Sequence, residues 1–496
     1  MDDKNGAGSD YKFLPLDTKH FKDLELDILG ALGNLDETLD GELVHSENWQ
    51  ALNALKKRYK EKVKCIYIDP PFNLESSDQF DYRTNYKDSC WATMLENRIA
   101  VSKDFLSDDG AIFVRCDDNG NYIIKHILNE IIGKNNFQNE LIVNRFQKKS
   151  SAFTNTTEYV FLYSSSDDAK FSAPAKNRAC IYCHSDIEPK WNWSHSAGKS
   201  NIPKYFDVDG KRTRLYPPKG RHWTNSQETI DELTKQGRMR INHSLSYKDC
   251  NEEKINIQPE KLQSDDIIVD SNWTDIRGYE FGVYTAEKFP TQNAEELLER
   301  IISSSSGGDD MVFDFFAGSG TTQAVAQKLG RKWLGVEMGD HFGTVILPRM
   351  KRVLAGNKSG ISKEIEYKGG GAFKYYTLEQ YEETLNNARY KDGEQLELDS
   401  MKSPFEQYVF FGDDKLAHAV KPLKNGKLKI NLHNLYPDLD IAESLSNILG
   451  KPIRRRTADT VTFADGTEEK INPQSMTEQE KQHFIKQIKP YLWWGE

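Results

Sequence analysis

What most constrains this chain is an alternation of strand and helix signals that starts, breaks off and then resumes. Over residues 41–140 the spacing predicts a helix from Trp49 to Tyr59, a buried strand from Val63 to Ile68 and a helix from Trp91 to Phe105. After the turn Asp108-Asp109-Gly110 it predicts a strand from Ala111 to Cys116 and a helix from Asn121 to Ile132 stopped by Gly133. From about 150 to 280 the texture changes to scattered aromatics and turn residues, with one strand-like run, Tyr159 to Tyr163, and one short helix, Glu228 to Lys235. The alternation then returns as a helix from Ala294 to Ile302, a strand from Met311 to Phe316, a helix from Thr321 to Leu329 and a strand from Trp333 to Val336. Strands separated by helices form a parallel sheet. The expectation is one α/β domain split by a surface-reading insertion.

On this pattern the chain divides into an N-terminal extension (1–40), a first α/β half (41–145), the insertion (146–280) and a second α/β half (281–355). A linker and helix (356–399) and a small separate α/β unit (400–496) follow. Gly369-Gly370-Gly371 marks the linker, and Thr377 with Gln380 has the spacing of a capping box opening a helix. Alternation from Lys427 to Leu432 and the turn pair Asp465-Gly466 mark the last unit. Its aromatics, Tyr408, Phe410, Phe411, Tyr491, Trp493 and Trp494, suit packing on a neighbour.

Composition excludes several classes. Mean hydropathy is -0.71, and no apolar run approaches the ~18 residues of a membrane span. The opening MDDKNGAGSD lacks the order of a secretory signal, so a cytoplasmic location is expected. The cysteines at 65, 90, 116, 180, 183 and 250 are too few and scattered for a disulfide framework. Zinc held by Cys180, Cys183, His184 and His195 is the alternative use of some of them, but its fourth ligand is improvised, and no metal is expected. The net charge of -10 hides an asymmetry, because residues 141–240 carry 17 Lys and Arg against 10 Asp and Glu. A phosphate-facing patch needs only such a local excess.

Two short strings carry the chemistry. Asp69-Pro70-Pro71-Phe72-Asn73 directly follows the first strand. Its prolines stiffen a turn that offers an acidic acceptor, the Pro70 carbonyl and an aromatic face. That set suits an exocyclic amino group on a planar base, whose lone pair is delocalised into the ring. Two acceptors on its N–H groups favour a tetrahedral nitrogen, and Phe72 would stack on the ring, which is worth ~1–3 kcal/mol per base. The same stacking helps offset the few kcal/mol of drawing a base out of a duplex.

The second string is Asp314-Phe315-Phe316-Ala317-Gly318-Ser319-Gly320-Thr321-Thr322, a strand running through a glycine-rich turn into a helix. Gly318 and Gly320 let a ligand approach the backbone at a helix N-terminus. Glu337, at the end of the next strand, could accept both hydroxyls of a ribose. The third glycine of the dinucleotide fingerprint is absent, as is the lysine of a P-loop, which disfavours those readings. The nucleoside donor that fits beside an amine is S-adenosylmethionine, whose methyl group needs in-line placement above all.

Asp69-Pro70-Pro71-Phe72, Phe316-Ala317-Gly318-Ser319-Gly320 and Pro290-Thr291-Gln292 before a helix resemble the catalytic, cofactor and helix motifs of DNA amino-methyltransferases. The catalytic string comes first, with the basic insertion between, which is similar to the β-class order. Further likeness runs through Trp91 and Met94, Ile112-Phe113-Val114, Asp117-Asp118-Asn119, Glu158-Tyr159-Val160, Gly220-Arg221-His222-Trp223, Trp273-Thr274-Asp275-Ile276, Phe373-Lys374-Tyr375-Tyr376 and the run Lys489 to Trp494. That spread resembles the modification subunit of type III restriction-modification systems.

The resemblance implies a Rossmann-like methyltransferase fold with permuted motif order, an inserted target-recognition domain and a small C-terminal α/β domain for assembly. It implies that Asp69 and Phe72 of the catalytic string Asp69-Pro70-Pro71-Phe72 hold the base, that Gly318 and Gly320 hold the methionine part of the cofactor, and that Phe316, Ser319 and Thr321 belong to the same cofactor site. Glu337 would take the ribose, and Thr291 and Gln292 the polar end. Glu47 would lie by the cofactor adenine, although this chain reads Ser46-Glu47-Asn48 where the family often has Gly-Asp-Asn. Asn293 stands where lysine is common. Aspartate at 69, where N4-cytosine enzymes usually carry serine, favours N6-adenine.

The enzymatic expectation is therefore site-specific adenine methylation of double-stranded DNA. The implied partners are a second copy of the chain and a helicase-nuclease restriction subunit. A non-catalytic DNA-reading subunit that docks a nuclease is the alternative from another class, and an N4-cytosine enzyme the alternative within this one. Candidate DNA contacts are Lys148, Lys149, Lys211, Arg212, Arg214, Arg221 and Arg238.

Overall fold

The computed structural model describes residues 14–73, 86–144, 156–172, 175–177, 191–262, 266–268, 270–279, 289, 292–378, 388–389, 412–413, 420–422, 428–432, 436 and 438–488. They form two compact units, one from residues 1–172 with 270–496 and one from 173–269.

The larger unit is built on nine strands: β1 Gly41–His45, β2 Val63–Ile68, β3 Leu106–Cys116, β4 Phe137–Asn144, β5 Thr157–Ser164, β6 Asn272–Arg277, β7 Met311–Asp314, β8 Lys332–Glu337 and β9 Phe373–Thr377. Their order is β6-β4-β5-β3-β2-β7-β8-β1-β9. Strand β5 runs antiparallel to both its neighbours, and every other pairing is parallel.

Residue alternation decides which helices cover which face. Ile66 and Ile68 of β2 and Leu334 and Val336 of β8 join one core with the apolar sides of α1 Asn48–Tyr59, α2 Asp88–Ser102 and α3 Asn121–Leu128. Cys65 turns the other way, toward Ser305 at the end of α4 Glu295–Ser305. Trp333 likewise donates its indole N–H to Gln327 of α5 Thr321–Lys328. Helices on both faces explain why β2 and β8 are apolar without a polar side.

The parallel core follows the sequence pattern closely, and the differences have local causes. Strand β3 starts at Leu106 and runs through Asp108-Asp109-Gly110, because its register against β2 shifts between Val63 and Cys65 and absorbs the turn residues as a bulge. Helix α3 ends at Leu128 and widens into a π turn over Asn129–Gly133, with Gly133 at φ 112. Strands β4 and β6 have half-exposed, irregular patterns that periodicity misses. Since β5 and β6 pair into the sheet, the insertion is narrower than 146–280, and its compact unit is 173–269. Thr377 ends β9, opposite His45 of β1, and the helix expected after it, with Gln380, falls on residues outside the described ones.

The C-terminal part is not separate from this unit. Helix α7 Ile441–Leu449 and a hairpin around Asp465-Gly466 enclose Ala442, Leu445, Val461 and Phe463, and Leu35 from the N-terminal region joins that core. Arg58 of α1 binds Asp36 at 2.7 Å and Glu443 of α7 at 2.5 Å, while Lys374 of β9 reaches Glu443 at 2.6 Å and Asp36 at 3.0 Å. Tyr408, Phe410, Phe411, Tyr491, Trp493 and Trp494 lie outside the described residues.

The smaller unit gathers Phe206, Leu215, Trp223, Ile230 and Tyr247 into its own core. A hairpin of Lys204–Val208 and Lys211–Leu215 turns at Asp209 and Gly210, both in the left-handed region at φ 54 and 79. Helix Gln227–Lys235 is capped by Ser226, whose hydroxyl accepts the Thr229 N–H at 3.2 Å. Cys180, Cys183 and His184 lie outside the described residues, and His195 is buried with its ring beside Trp193 and Trp223.

Candidate active site

Strand β2 continues through α2 to β3 on one side of the sheet, whereas β7, its neighbour, continues through α5 to β8 on the other. Their carboxyl ends diverge there, and open α/β sheets bind ligands in that crevice. Ile66 pairs with Phe313, so Asp69 and Phe316 each follow three residues beyond matched positions. The two strings that stand far apart in the sequence thus leave adjacent strand ends.

The Asp69 turn is pinned from α2. The Trp91 indole donates to the Pro71 carbonyl at 2.8 Å, and the Asn73 amide donates to Asp88 at 2.8 Å. Pro70 is buried, whereas Pro71 and Phe72 are half-buried. The Asp69 carboxylate has two protein neighbours on one oxygen: Asn293 Nδ2 donates to Oδ2 at 3.1 Å, and Arg115 Nη1 stands 3.6 Å from it. Burial pushes this carboxyl up to about 6. Arg115 and the Asn293 hydrogen bond hold it down, while Glu158 and Asp117 push it further up.

The glycine turn is held from three sides. Asp314 accepts the Phe316 N–H at 2.9 Å and the Thr322 hydroxyl at 2.6 Å, and burial lifts its carboxyl to about 7 against those bonds. Asn48 of α1 donates to the Phe315 carbonyl at 3.2 Å. The buried Arg349, on α6 Leu347–Leu354, donates to the Thr321 hydroxyl at 2.8 Å and the Ser319 hydroxyl at 3.3 Å, and is itself held by Glu295 at 3.0 Å. The Ser319 and Thr321 side chains therefore brace the turn through Arg349. Gly318 has φ 53, and among the described residues a Cβ there would meet only the Phe316 carbonyl, at 3.9 Å. Gly320 has φ 77 and lies against Ile346, which a Cβ would strike at 2.9 Å.

Glu337 ends β8 beside this turn. Its carboxylate accepts N–H bonds from Gly318 at 2.8 Å, Met338 at 2.9 Å and Gly339 at 2.8 Å. A carboxylate has about four acceptor sites, so capacity for a ligand hydroxyl is left. The next residue, Met338, is 60% exposed, an apolar side chain at the crevice that the sequence reading missed. Glu47 serves α1: its carboxylate caps the Gln50 N–H at 3.1 Å and pairs with Arg98. Those bonds account for Glu47 locally and lend its cofactor reading no support. Gln292 is buried, with its N–H on the Phe289 carbonyl at 3.3 Å, while Thr291 lies outside the described residues.

Arg115, Glu158 and Arg349 join the site in the fold without belonging to either sequence string. A charge inside the apolar run Ile112-Phe113-Val114-Arg115-Cys116 was the available signal, since a buried guanidinium requires a partner. In the smaller unit Lys211, Arg212, Arg214 and Arg221 are exposed and Arg238 is half-buried. Arg212 and Arg214 share one face of the hairpin, over Tyr205 and Tyr216 respectively. Lys148 and Lys149 lie outside the described residues.

The chain is 28% identical over 429 residues to a probable type III restriction-modification enzyme HindVI Mod subunit of Haemophilus influenzae, covering 71% of this chain and 56% of that one. It is 25% identical over 314 residues to the type II methyltransferase M.EcaI of Enterobacter cloacae, covering 60% and 67%. The EcoP15I Mod subunit of Escherichia coli is 24% identical over 374 residues, covering 58% and 56%. The chain thus spans about half the length of the Mod subunits it matches. Among solved structures, PvuII DNA methyltransferase, cytosine-N4-specific, aligns with a TM-score of 0.38 at 13% identity over 66% of this chain and 91% of that one. The DNA methylase family profile matches residues 63–347, from the start of β2 into α6, and the chain belongs to that family.

Proposed function

We propose that this chain transfers a methyl group from S-adenosylmethionine to the N6 amino group of an adenine in a specific double-stranded DNA sequence, as the modification subunit of a restriction-modification system. The observation that carries this reading is the meeting of Asp69 with the Gly318 turn at one switch point. The bare backbone at Gly318 and the remaining acceptor capacity of Glu337 fit a nucleoside with a small zwitterionic tail. When bound, that cofactor supplies an electrophilic methyl group.

The chain's own residues do the rest. Asp69 and the Pro70 carbonyl accept from the target amine, and Phe72 stacks on the base. Gly318 and Gly320 face the methionine part, Glu337 the ribose, and Thr291 and Gln292 the polar end. Met338 covers one face of the cofactor purine. An aspartate rather than a serine at 69 supports adenine over cytosine. The exposed arginines of the smaller unit support sequence reading there. Likeness to Mod subunits of restriction-modification enzymes supports a restriction subunit as partner; the chain is further proposed to pair with a second copy of itself, which light scattering of the purified chain tests.

The decisive experiment is methyl transfer by the purified chain to duplex DNA, followed by sequencing that reports modified bases. N6-methyladenine at one sequence, absent with Asp69→Ala, is the expected result. Methylcytosine would move the target base, and no methyl transfer would leave the DNA-reading subunit as the function.

A further inference from the structure

Asp69 presents its two oxygens to different surroundings. Oδ2 takes the Asn293 amide N–H at 3.1 Å and lies 3.6 Å from Arg115. No donor among the described residues is hydrogen-bonded to Oδ1. Asn293 in turn accepts from Arg115 Nη1 through its own carbonyl oxygen. One side-chain amide therefore joins the carboxylate to the guanidinium and fixes which way the amide points.

The guanidinium is held independently of that amide. Arg115 is fully buried, pairs with the buried Glu158, with Nε on Oε2 at 2.9 Å, and donates to the Gly278 carbonyl at 3.1 Å. The Tyr279 ring lies 4.2 Å from it, and Tyr279 bridges Asn293 through the backbone. A Cβ on Gly278 would strike Arg115 at 2.4 Å, so the packing requires glycine there.

We infer that Asn293 is the positioning residue for Asp69, tying Oδ2 back to the Arg115–Glu158 pair and leaving Oδ1 to accept from the target amine. The inference rests on the proposed reaction for its purpose, but not for its geometry. A rigid carboxylate with one oxygen assigned inward needs little reorganisation when the amine arrives, which is where a preorganised acceptor has its effect.

Asn293 can be tested through the carboxyl itself, without cofactor or DNA. Among the described residues, the charged or titratable groups around Asp69 are Arg115 and Cys116 on β3, Asp117 just after it, Glu158 on β5, Tyr67 on β2 and Asp314 on β7. The carboxyl carbon signal of Asp69, assigned in carbon-13 aspartate-labelled protein by its loss in Asp69→Asn, should titrate near 6 in the parent chain. Asn293→Asp keeps the acceptor for Arg115 but replaces the donor with a negative charge, so the midpoint should rise by at least one pH unit. Asn293→Lys should lower it by a similar amount, and Asn293→Ala should raise it less than Asn293→Asp. Opposite shifts of the two charged variants show that position 293 lies beside the carboxyl, and a raised midpoint in Asn293→Ala with parent-like thermal melting identifies the hydrogen bond itself, since that variant adds no charge. Midpoints that stay within a few tenths of a unit across folded variants would overturn the inference. Methyl transfer by the parent chain is scored separately, so failure of the proposed reaction is distinguishable from failure of this contact.

Discussion

The Glu337 carboxylate accepts the Gly318 N–H at 2.8 Å, so the acid assigned to the ribose also fixes the backbone of the glycine turn. Binding of a nucleoside and the shape of its cradle are thereby linked through one side chain. Glu337→Gln replaces a charged acceptor, and hydrogen bonds to charged groups are worth about 1.5–3 kcal/mol. S-adenosylmethionine binding should weaken about tenfold to hundredfold by calorimetry while affinity for duplex DNA stays unchanged. Parent-like cofactor affinity would remove Glu337 from the cofactor site.

Asp69 gives the pH dependence. Its carboxyl is raised to about 6 chiefly by burial, and acceptance from an amine needs the ionised form. As pH falls through about 6 the acceptor is protonated, so kcat/KM should fall there, whereas a carboxyl with the ordinary value of about 3.9 would sustain the rate to far lower pH. Asp69→Ala should reduce methyl transfer to background with cofactor affinity kept. Equal loss of cofactor affinity would point to collapse of the crevice.

Phe72 is half-buried beside Asp69, which suits a ring that gains a stacking partner on binding. Removing one base–aromatic stack costs about 1–3 kcal/mol. Phe72→Ala should therefore lower kcat/KM about tenfold to hundredfold and weaken the fluorescence rise of 2-aminopurine placed at the target base. A full rate with an unchanged fluorescence rise would argue against stacking on Phe72.

The exposed arginines of the smaller unit predict a salt effect. Arg212 pairs with Asp231 at 3.1 Å in an exposed bridge that is worth little, so it can exchange that partner for a phosphate. Each phosphate contact contributes about -0.9 to the slope of log affinity against log salt. Reversing Arg212 and Arg214 to glutamate should weaken DNA binding and flatten the slope by about two, with cofactor affinity unchanged. An unaltered slope would place the DNA contacts elsewhere.

How much of this was legible in the sequence depends on whether a residue's partner is local. Val63–Ile68, the Asp69 turn, the glycine turn and Glu337 follow from short-range patterns, because a buried parallel strand and a turn into a helix leave marks within a few residues. Strand β9 did not, since Phe373–Thr377 is half-exposed on one edge and its role depends on pairing with β1, over three hundred residues away. Arg115, Asn293 and Glu158 come from three separate elements and meet only in the fold, so no spacing could have joined them.

The N- and C-terminal segments, an extension and a separate unit by sequence pattern, meet the sheet domain through one buried ion cluster. Arg58 is buried among Asp36, Glu42 and Glu443, with Lys374 as the second cation, so three carboxylates share two positive charges out of water. Burial pushes the Glu443 carboxyl up, and Lys374 and Arg58 oppose it. Breaking a buried pair by deleting one partner typically costs about 3–5 kcal/mol, because the remaining charge has no water. Arg58→Ala should lower unfolding free energy by about that amount in urea. The loss should fall first on α7, since Glu443 and Asn447 both accept from Arg58. Hydrogen exchange over residues 441–449 should therefore accelerate at urea concentrations where β2 and β7 remain protected. Simultaneous loss of protection everywhere would mean that the C-terminal core and the sheet unfold as one, and unchanged protection of α7 would show that the apolar contacts with Leu35 hold it without the ion cluster.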